Sequence, residues 1–243
     1  MPRPDPNRLP TAREVRLAYN ARHAGSMLRD RDRFYRLMAR RVLSFLDPGR
    51  LRSARLLDVG CGGGYFLREA HGRASSPFQA LCGLEISDVA LRAAKKEAPA
   101  AHLVLGQGEA LPFCDRSFDA VVCLGNLEHF LDPVQGTREL ERVCRLDGRI
   151  WVLLPNSYYS GDLWRVIRTG YGPNHHQILE RFATVNEWRD LLEAGGLHVE
   201  EVLPYNRFKW WKRLLPRNLA YHFLYRARPR GLTRLKQAHA SNC

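Results

Sequence analysis

Apolar residues along this chain change their spacing in a regular way, and the changes mark out its elements. Between Thr11 and Leu46 they fall at Phe34, Leu37, Met38, Val42, Phe45 and Leu46. That three-and-four spacing puts them on one face of a helical pattern. Asp47-Pro48-Gly49 ends it. From Arg55 the pattern shortens to compact apolar runs at Leu56 to Val59, Phe78 to Leu84, His102 to Gly106, Ser117 to Leu124 and Arg149 to Leu154, each predicted as a strand. Helical patterns separate them at Phe66 to Ala74, at Ser87 to Glu97 with Ser87 as N-cap, and at Pro133 to Cys144. A Leu146-Asp147-Gly148 turn is expected before the fifth strand. The alternation predicts one α/β domain, and 243 residues suffice for a sizeable core.

Beyond Pro155-Asn156 the rhythm breaks. Ser157 to Arg181 reads as an insertion holding Tyr158, Tyr159, Trp164, Tyr171, His175 and His176 among Arg165 and Arg168, either a lid or a binding face. Thr184 is expected to cap a helix to Ala194 that buries Trp188, Leu191 and Leu192 and stops at Gly195-Gly196. His198 to Leu203 and Asn218 to Arg228 read as a closing antiparallel pair. Between them, Trp210 and Trp211 stand among Arg207, Lys209, Lys212 and Arg213. That mixture suits a peripheral membrane contact, and equally two indoles packed over the sheet edge or the cleft. The expected division is a flexible arm (1–10), an N-terminal helical cap (11–50), the main domain (51–230, with the insertion at 157–181 and the basic aromatic segment at 206–217) and a loose tail (231–243).

The chemistry concentrates in Arg55 to Phe66, RLLDVGCGGGYF. Gly60, Gly62, Gly63 and Gly64 allow positive φ and let a ligand approach the backbone, and the amides at the helix start form a nucleotide-sized cradle. The dinucleotide fingerprint places a third glycine where this chain has Tyr65, and Asp58 beside the loop would repel a pyrophosphate. A carboxylate there suits cationic groups, such as the sulfonium and α-amino groups of S-adenosylmethionine. Glu85, at the end of the second strand, can accept hydrogen bonds from two ribose hydroxyls.

Taken in order, LLDVGCGGG, GLEIS, GEALPFCDRSFDAVVCLGNLEHFLDP, LDGRIWVLLPN and HHQILERFATVNEWRDLLEAGG resemble the class I S-adenosylmethionine-dependent methyltransferases, in particular the ubiquinone/menaquinone-biosynthesis-like group. The resemblance covers roughly Arg55 to Gly196. It implies a doubly wound, Rossmann-like seven-stranded sheet in the order 3-2-1-4-5-7-6, the last strand antiparallel, with the N-terminal helical cap near the cofactor. It also implies S-adenosyl-L-methionine as cofactor. Gly60, Gly62 and Gly64 would hold the amino-acid part, supported by Asp58, with Glu85 at the ribose and Gly108 and Glu109 at the adenine. Cys61, Ile86, Leu124 and Asn126 complete the expected contacts. Relatives usually carry an acid where this chain has Gln107, whose carbonyl oxygen can still accept from the adenine amino group.

His129 is a candidate base at the end of the fourth strand, or else it fixes the loop together with Glu128. His175 and His176 are further candidates for a base or a substrate contact, and Tyr19, Arg22 and His23 line the substrate side or face outward. No metal site is expected, since adjacent histidines diverge and no third ligand accompanies them.

Charge divides the chain. Lys and Arg exceed Asp and Glu by 9 over residues 1–55, fall 3 short over 56–155 and exceed them by 7 over 156–243, within a net +13. The flanks are solvated helix faces or the footprint of an anionic lipid, glycan or nucleic acid. Cys61, Cys82, Cys114, Cys123, Cys144 and Cys243 show no metal spacing and read as reduced thiols, MPRPDPNRLP lacks the apolar core of a signal peptide, and no run is long enough to span a membrane. The expected location is cytoplasmic, with a peripheral membrane contact as an option.

Gly125-Asn126-Leu127 is not the motif of an exocyclic-amine DNA methyltransferase, Cys123 lacks the setting of a C5 nucleophile, and no paired-glutamate loop for protein arginine is present. The leading expectation is O-methylation of a small-molecule, glycan or lipid-linked acceptor. A nucleic-acid methyltransferase and a noncatalytic cofactor-binding partner protein remain as alternatives.

Overall fold

The structure is a computed structural model that describes residues 8–24, 32–44, 54–73, 78–171, 178–206 and 216–231. Its seven strands form one sheet in the order β3-β2-β1-β4-β5-β7-β6. In chain order they are β1 (Arg55–Val59), β2 (Ala80–Glu85), β3 (His102–Leu105), β4 (Phe118–Leu124), β5 (Cys144–Pro155), β6 (Leu197–Tyr205) and β7 (His222–Pro229). The pairs from β3 to β5 are parallel, and β7 runs antiparallel to both β5 and β6. The expected order and the reversed last strand are therefore both present.

The helices are α1 (Ala12–Ala24), α2 (Asp32–Leu43), α3 (Tyr65–Arg73), α4 (Asp88–Glu97), α5 (Pro133–Val143), α6 (Ser160–Thr169) and α7 (Val185–Ala194). Strand alternation splits the core into two layers. Leu57, Val59, Val121 and Cys123 join Leu140 and Trp188 on the face covered by α5 and α7. Leu56, Ala120, Val122 and Leu124 join Met38, Phe66 and Leu67 on the face covered by α2 and α3. Parallel strands covered on both faces lose nearly all their apolar surface to the interior, which is why the sequence shows runs instead of alternation.

Caps set several helix starts. Ser87 accepts a hydrogen bond from the Ala90 amide at 3.1 Å, and Asp132 accepts from the Gln135 amide at 2.9 Å just before Pro133. At α7, Thr184 Oγ1 accepts from the Glu187 amide while the Glu187 carboxylate accepts from the Thr184 amide, satisfying two otherwise orphaned donors.

The helical pattern from Thr11 to Leu46 is present as α1 and α2, with residues 25–31 and the Asp47-Pro48-Gly49 stop outside the described residues. Two expectations, on the turn before the fifth strand and on the start of the closing strand, need correction. The Leu146-Asp147-Gly148 turn does not precede the fifth strand but lies inside it. β5 already pairs at Phe118 with Cys144, then jumps to Ala120 with Arg149. The Arg116 guanidinium donates to the carbonyls of Glu141 at 2.6 Å and Cys144 at 2.9 Å, holding the chain against the sheet before the irregularity. Finally, the closing strand starts at His222, not Asn218; Arg217–Leu219 form a 3₁₀ turn whose Asn218 carbonyl accepts from Asn156 Nδ2 at 2.7 Å.

Candidate active site

The carboxyl ends of β1, β2 and β4 converge on a cleft that includes Gly60, Glu85, Ile86, Gln107, Gly108, Glu109, Asn126 and His129 in its lining. The position follows the rule for open α/β sheets, whose ligands bind beyond the carboxyl ends of the strands.

Backbone geometry builds the floor. Gly60, Gly62 and Gly64 adopt φ of 77°, 51° and 79°, in the left-handed region. A Cβ on Gly60 would fall inside the Asn126 side chain. Asn126 Nδ2 donates to the carbonyls of Gly60 at 3.0 Å and Leu124 at 3.2 Å, riveting the end of β4 to the loop. Leu84 O receives the Gly60 and Cys61 amides at 2.8 and 3.0 Å, which ties the same loop to β2.

Two carboxylates lie in this floor. Glu85 accepts from the Gly62 amide through one oxygen and from the Ser87 amide through the other, each at 2.9 Å. Each oxygen keeps a further lone pair for a ligand hydroxyl. Asp58 is 3 % exposed, and burial followed by the Glu85 charge pushes its carboxyl up to about 8. Burial also holds Glu85 above the usual carboxylate range. Among the described residues, no Lys, Arg or His forms an ion pair with either. A buried acid pair without a cation is a site where positive charge on a ligand is strongly favoured.

The sides come from three segments. Gly108 lies under Phe130, so a side chain there would occupy the ring's place, and Glu109 accepts from the Leu131 amide at 2.6 Å. Helix α1 supplies Ala12, Val15 and Tyr19 as a roof. Asn20 anchors that roof: its Nδ2 donates to Asp88 Oδ1 at 2.6 Å, and its Oδ1 accepts from Ser87 Oγ at 2.7 Å.

At the reactive end, a 3₁₀ turn (Leu127–His129) follows β4. His129 Nδ1 lies 2.6 Å from the Leu179 carbonyl. A carbonyl only accepts, so Nδ1 carries a proton, and in the corresponding neutral tautomer Nε2 holds a lone pair. Nε2 lies 3.6 Å from Glu128 Oε1, and the Tyr19 ring meets the imidazole edge-on with centroids 6.2 Å apart. Burial, then the Glu128 charge, pushes the Tyr19 phenol well up, keeping it a donor. Arg181 braces the turn, donating through Nη1 to Phe130 O and through Nη2 to Leu131 O at 3.1 Å, with its own amide donating to Glu128 O at 3.2 Å.

Not every expected residue reaches the cleft surface. Asp58 and Gly62 sit beneath it, bound into the floor through Glu85 or next to it. The buried Cys61 thiol faces Gly83, Gly64 packs on Ala94 of α4, and buried Leu124 contributes its carbonyl to Asn126. His175, His176, Trp210 and Trp211 lie outside the described residues. Sequence reading missed the roof residues Ala12 and Val15, the Phe130 and Leu131 wall, and the Leu179 and Arg181 brace. Only Phe130 and Leu131 carried a usable signal, their adjacency to His129. Among the described residues no group of three or more His, Cys, Asp or Glu is arranged to hold a metal ion, and no helix is long and apolar enough to cross a membrane.

Comparison with known proteins agrees with this geometry. Residues 57–152 match the family described as Methyltransferase domain. The chain is 27 % identical over 172 residues to the uncharacterized methyltransferase YcgJ of Bacillus subtilis, covering 65 % of this chain and 64 % of the relative. It is 25 % identical over 202 residues to the mitochondrial ubiquinone biosynthesis O-methyltransferase of Bos taurus, covering 76 % and 54 %. Thus it spans just over half to just under two thirds of those relatives' lengths. Magnesium protoporphyrin IX methyltransferase from Synechocystis, solved with bound SAH, shares the fold at 14 % identity, with a TM-score of 0.64 over 88 % of this chain and 98 % of that one.

Proposed function

We propose that this chain, which belongs to the class I S-adenosylmethionine-dependent methyltransferases, catalyses methyl transfer to an oxygen of a small or lipid-linked acceptor. The observation that carries the reading is the floor of the cleft, where Asp58 and Glu85 lie buried without a cationic side chain beneath glycines of positive φ. These residues fit S-adenosylmethionine, which brings two cationic groups and two ribose hydroxyls, and which supplies a methyl on a sulfonium that leaves as a neutral thioether. Asp58 would favour its positive end, Glu85 its hydroxyls, and Gln107, Gly108 and Glu109 the adenine side. Cys61, Gly62, Gly64 and Leu124 would shape the cradle from behind.

Because the leaving group is already activated, the protein's task is alignment and removal of one proton. His129 Nε2 takes the acceptor's hydroxyl proton as the new oxygen–carbon bond forms, while the Nδ1 proton stays on the Leu179 carbonyl. Glu128 steadies the imidazolium that results, and Tyr19 closes the site against water. The bovine relative's name, O-methylation in ubiquinone biosynthesis, supports an oxygen nucleophile on an apolar acceptor.

The test is in two stages. Calorimetric titration with S-adenosylmethionine should give micromolar affinity where NAD gives none. Acceptor phenols, quinone precursors and glycans are then screened by release of S-adenosylhomocysteine. Turnover on no acceptor class despite tight binding would favour a noncatalytic partner protein. The net charge of +13 favours one rival acceptor, RNA, and turnover on RNA with steeply salt-dependent affinity would replace the small-acceptor reading.

A further inference from the structure

Helix α6 buries none of its residues. Trp164 is 63 % exposed and Ile167 77 %, and Tyr158, Val166 and Tyr171 are exposed beside them. Trp164 and Ile167 are three residues apart and so share one stripe of the helix; Tyr171 follows directly after the left-handed Gly170 that ends it. Arg165 and exposed Arg168 flank the stripe. A soluble helix normally hides its apolar stripe, so this one faces something other than water.

We propose that α6, with Tyr158 and Tyr171, docks on the surface of an anionic lipid bilayer and presents the cleft to a lipid-linked acceptor. The proposal deepens the methyl-transfer reading above, on which its acceptor class rests. Two arguments select lipid over a protein partner. A ten-residue helix is only about 15 Å long, and one stripe of it falls well short of the roughly 800 Å² per partner that a stable protein interface needs. The stripe's composition is also interfacial: indole and phenol rings at headgroup depth, one aliphatic side chain that can enter the acyl region, and the exposed Arg168 that reaches phosphates. Residues 156–243 carry a surplus of seven positive charges, which an anionic surface attracts.

The surface is also connected to the chemistry. The α6 segment leaves the sheet after Pro155, at the carboxyl end of β5, and returns through Leu179 and Arg181, which bond His129 and the turn around it. An acceptor whose tail lies in the bilayer would sit beside the segment whose far end bonds His129.

The experiment floats the full chain on phosphatidylglycerol–phosphatidylcholine vesicles and on phosphatidylcholine alone, for the wild type, for Trp164→Ser/Ile167→Ser/Tyr171→Ser and for Trp210→Ser/Trp211→Ser. The expected result is salt-sensitive flotation on the anionic vesicles that falls at least about tenfold in the triple variant. S-adenosylmethionine affinity, measured by calorimetry, should not change in that variant. Unchanged flotation of the triple variant would overturn the proposal, as would loss confined to the Trp210/Trp211 variant. A wild type that self-associates without lipid, and becomes monomeric in the triple variant, would assign the stripe to a second copy and overturn it too. Flotation together with failure to bind S-adenosylmethionine would sink the methyl-transfer reading while leaving the docking surface standing.

Discussion

The floor of the cleft and its acceptor side are built by opposite means. The floor is backbone: three glycines of positive φ, amides directed at Glu85 and Leu84 O, and Asn126 riveting two strand ends, all in the buried centre of the sheet. The proposed acceptor side is side chains on peripheral elements. Helix α1 is held at Asn20, α6 buries nothing, and one guanidinium and one carbonyl brace His129. A shared cofactor demands the same floor whatever the acceptor, whereas acceptors differ and their side of the site is free to differ with them. The comparison predicts that floor substitutions abolish binding, that turn substitutions cost turnover alone, and that roof substitutions are graded.

The largest effect should come from Gly60→Ala. A Cβ at φ of 77° costs about 1–2 kcal/mol, and it would expel the Asn126 side chain from a place it holds with hydrogen bonds worth about 1 kcal/mol each. We expect a clear fall in Tm by circular dichroism and loss of S-adenosylmethionine affinity by about a hundredfold or more. Near-normal affinity in a folded variant would mean that the floor is less exacting than its geometry suggests.

Next comes His129→Gln, which tests whether the turn is separable from the floor. Loss of a general base lowers kcat by roughly a hundredfold to ten-thousandfold, while cofactor affinity should stay within about twofold on the proposed reading, in which the ring meets the acceptor. Full turnover with unchanged affinity would reduce His129 to a loop-fixing residue, its Nδ1 bond to Leu179 O being purely structural.

Asp58 sharpens the comparison through pH. Its folded-state pKa of about 8 lies above the unfolded value near 3.9, so the native state holds the extra proton. Its contribution to stability is present below about pH 4 and is lost as pH rises to about 8. A cationic ligand favours the ionised form, so binding at pH 6 to 7 should release close to one proton, and affinity should rise by nearly tenfold per pH unit in that window. The α-amino group of the ligand stays charged there. Calorimetry in buffers of different ionisation enthalpy reads the proton directly, and Asp58→Asn should abolish the release. A pH-independent wild type would show that the ligand's charge is met elsewhere.

The same division explains what the sequence made legible. Strand, glycine loop and helix at Arg55–Arg73 were readable because glycine and apolar runs act locally, and the caps at Ser87 and Thr184 were readable for the same reason. The cleft lining from Gly60, Glu85, Ile86 and Gln107–Glu109 followed from motif order. The irregularity in β5 was not legible, because Leu146-Asp147-Gly148 reads locally as a turn while the Arg116 clamp that holds Cys144 against the sheet comes from more than twenty residues away. Nor could any side-chain pattern announce the Leu179 carbonyl as the partner of His129, since a main-chain acceptor has no residue signature. Val15 went unnoticed because α1 buries no other residue and so carries no repeated apolar stripe.

The smallest effect should belong to that roof, and Asn20→Ala isolates it. The amide bridges α1 to the start of α4 twice, donating to Asp88 and accepting from Ser87, whose hydroxyl also caps α4. After substitution Asp88 keeps Arg92 at 2.7 Å, and Ser87 Oγ keeps accepting from the Ala90 amide but loses the acceptor of its own O–H. Removing the tether therefore loosens the roof without leaving a buried charge unpaired. S-adenosylmethionine affinity should weaken by about three- to tenfold, mostly through faster dissociation in stopped-flow traces, since a roof that opens more often releases a ligand whose floor contacts are intact. An equal loss in association rate would instead place α1 in the formation of the cleft, and no change would mean that Val15 and Tyr19 close over the ligand without help from the tether.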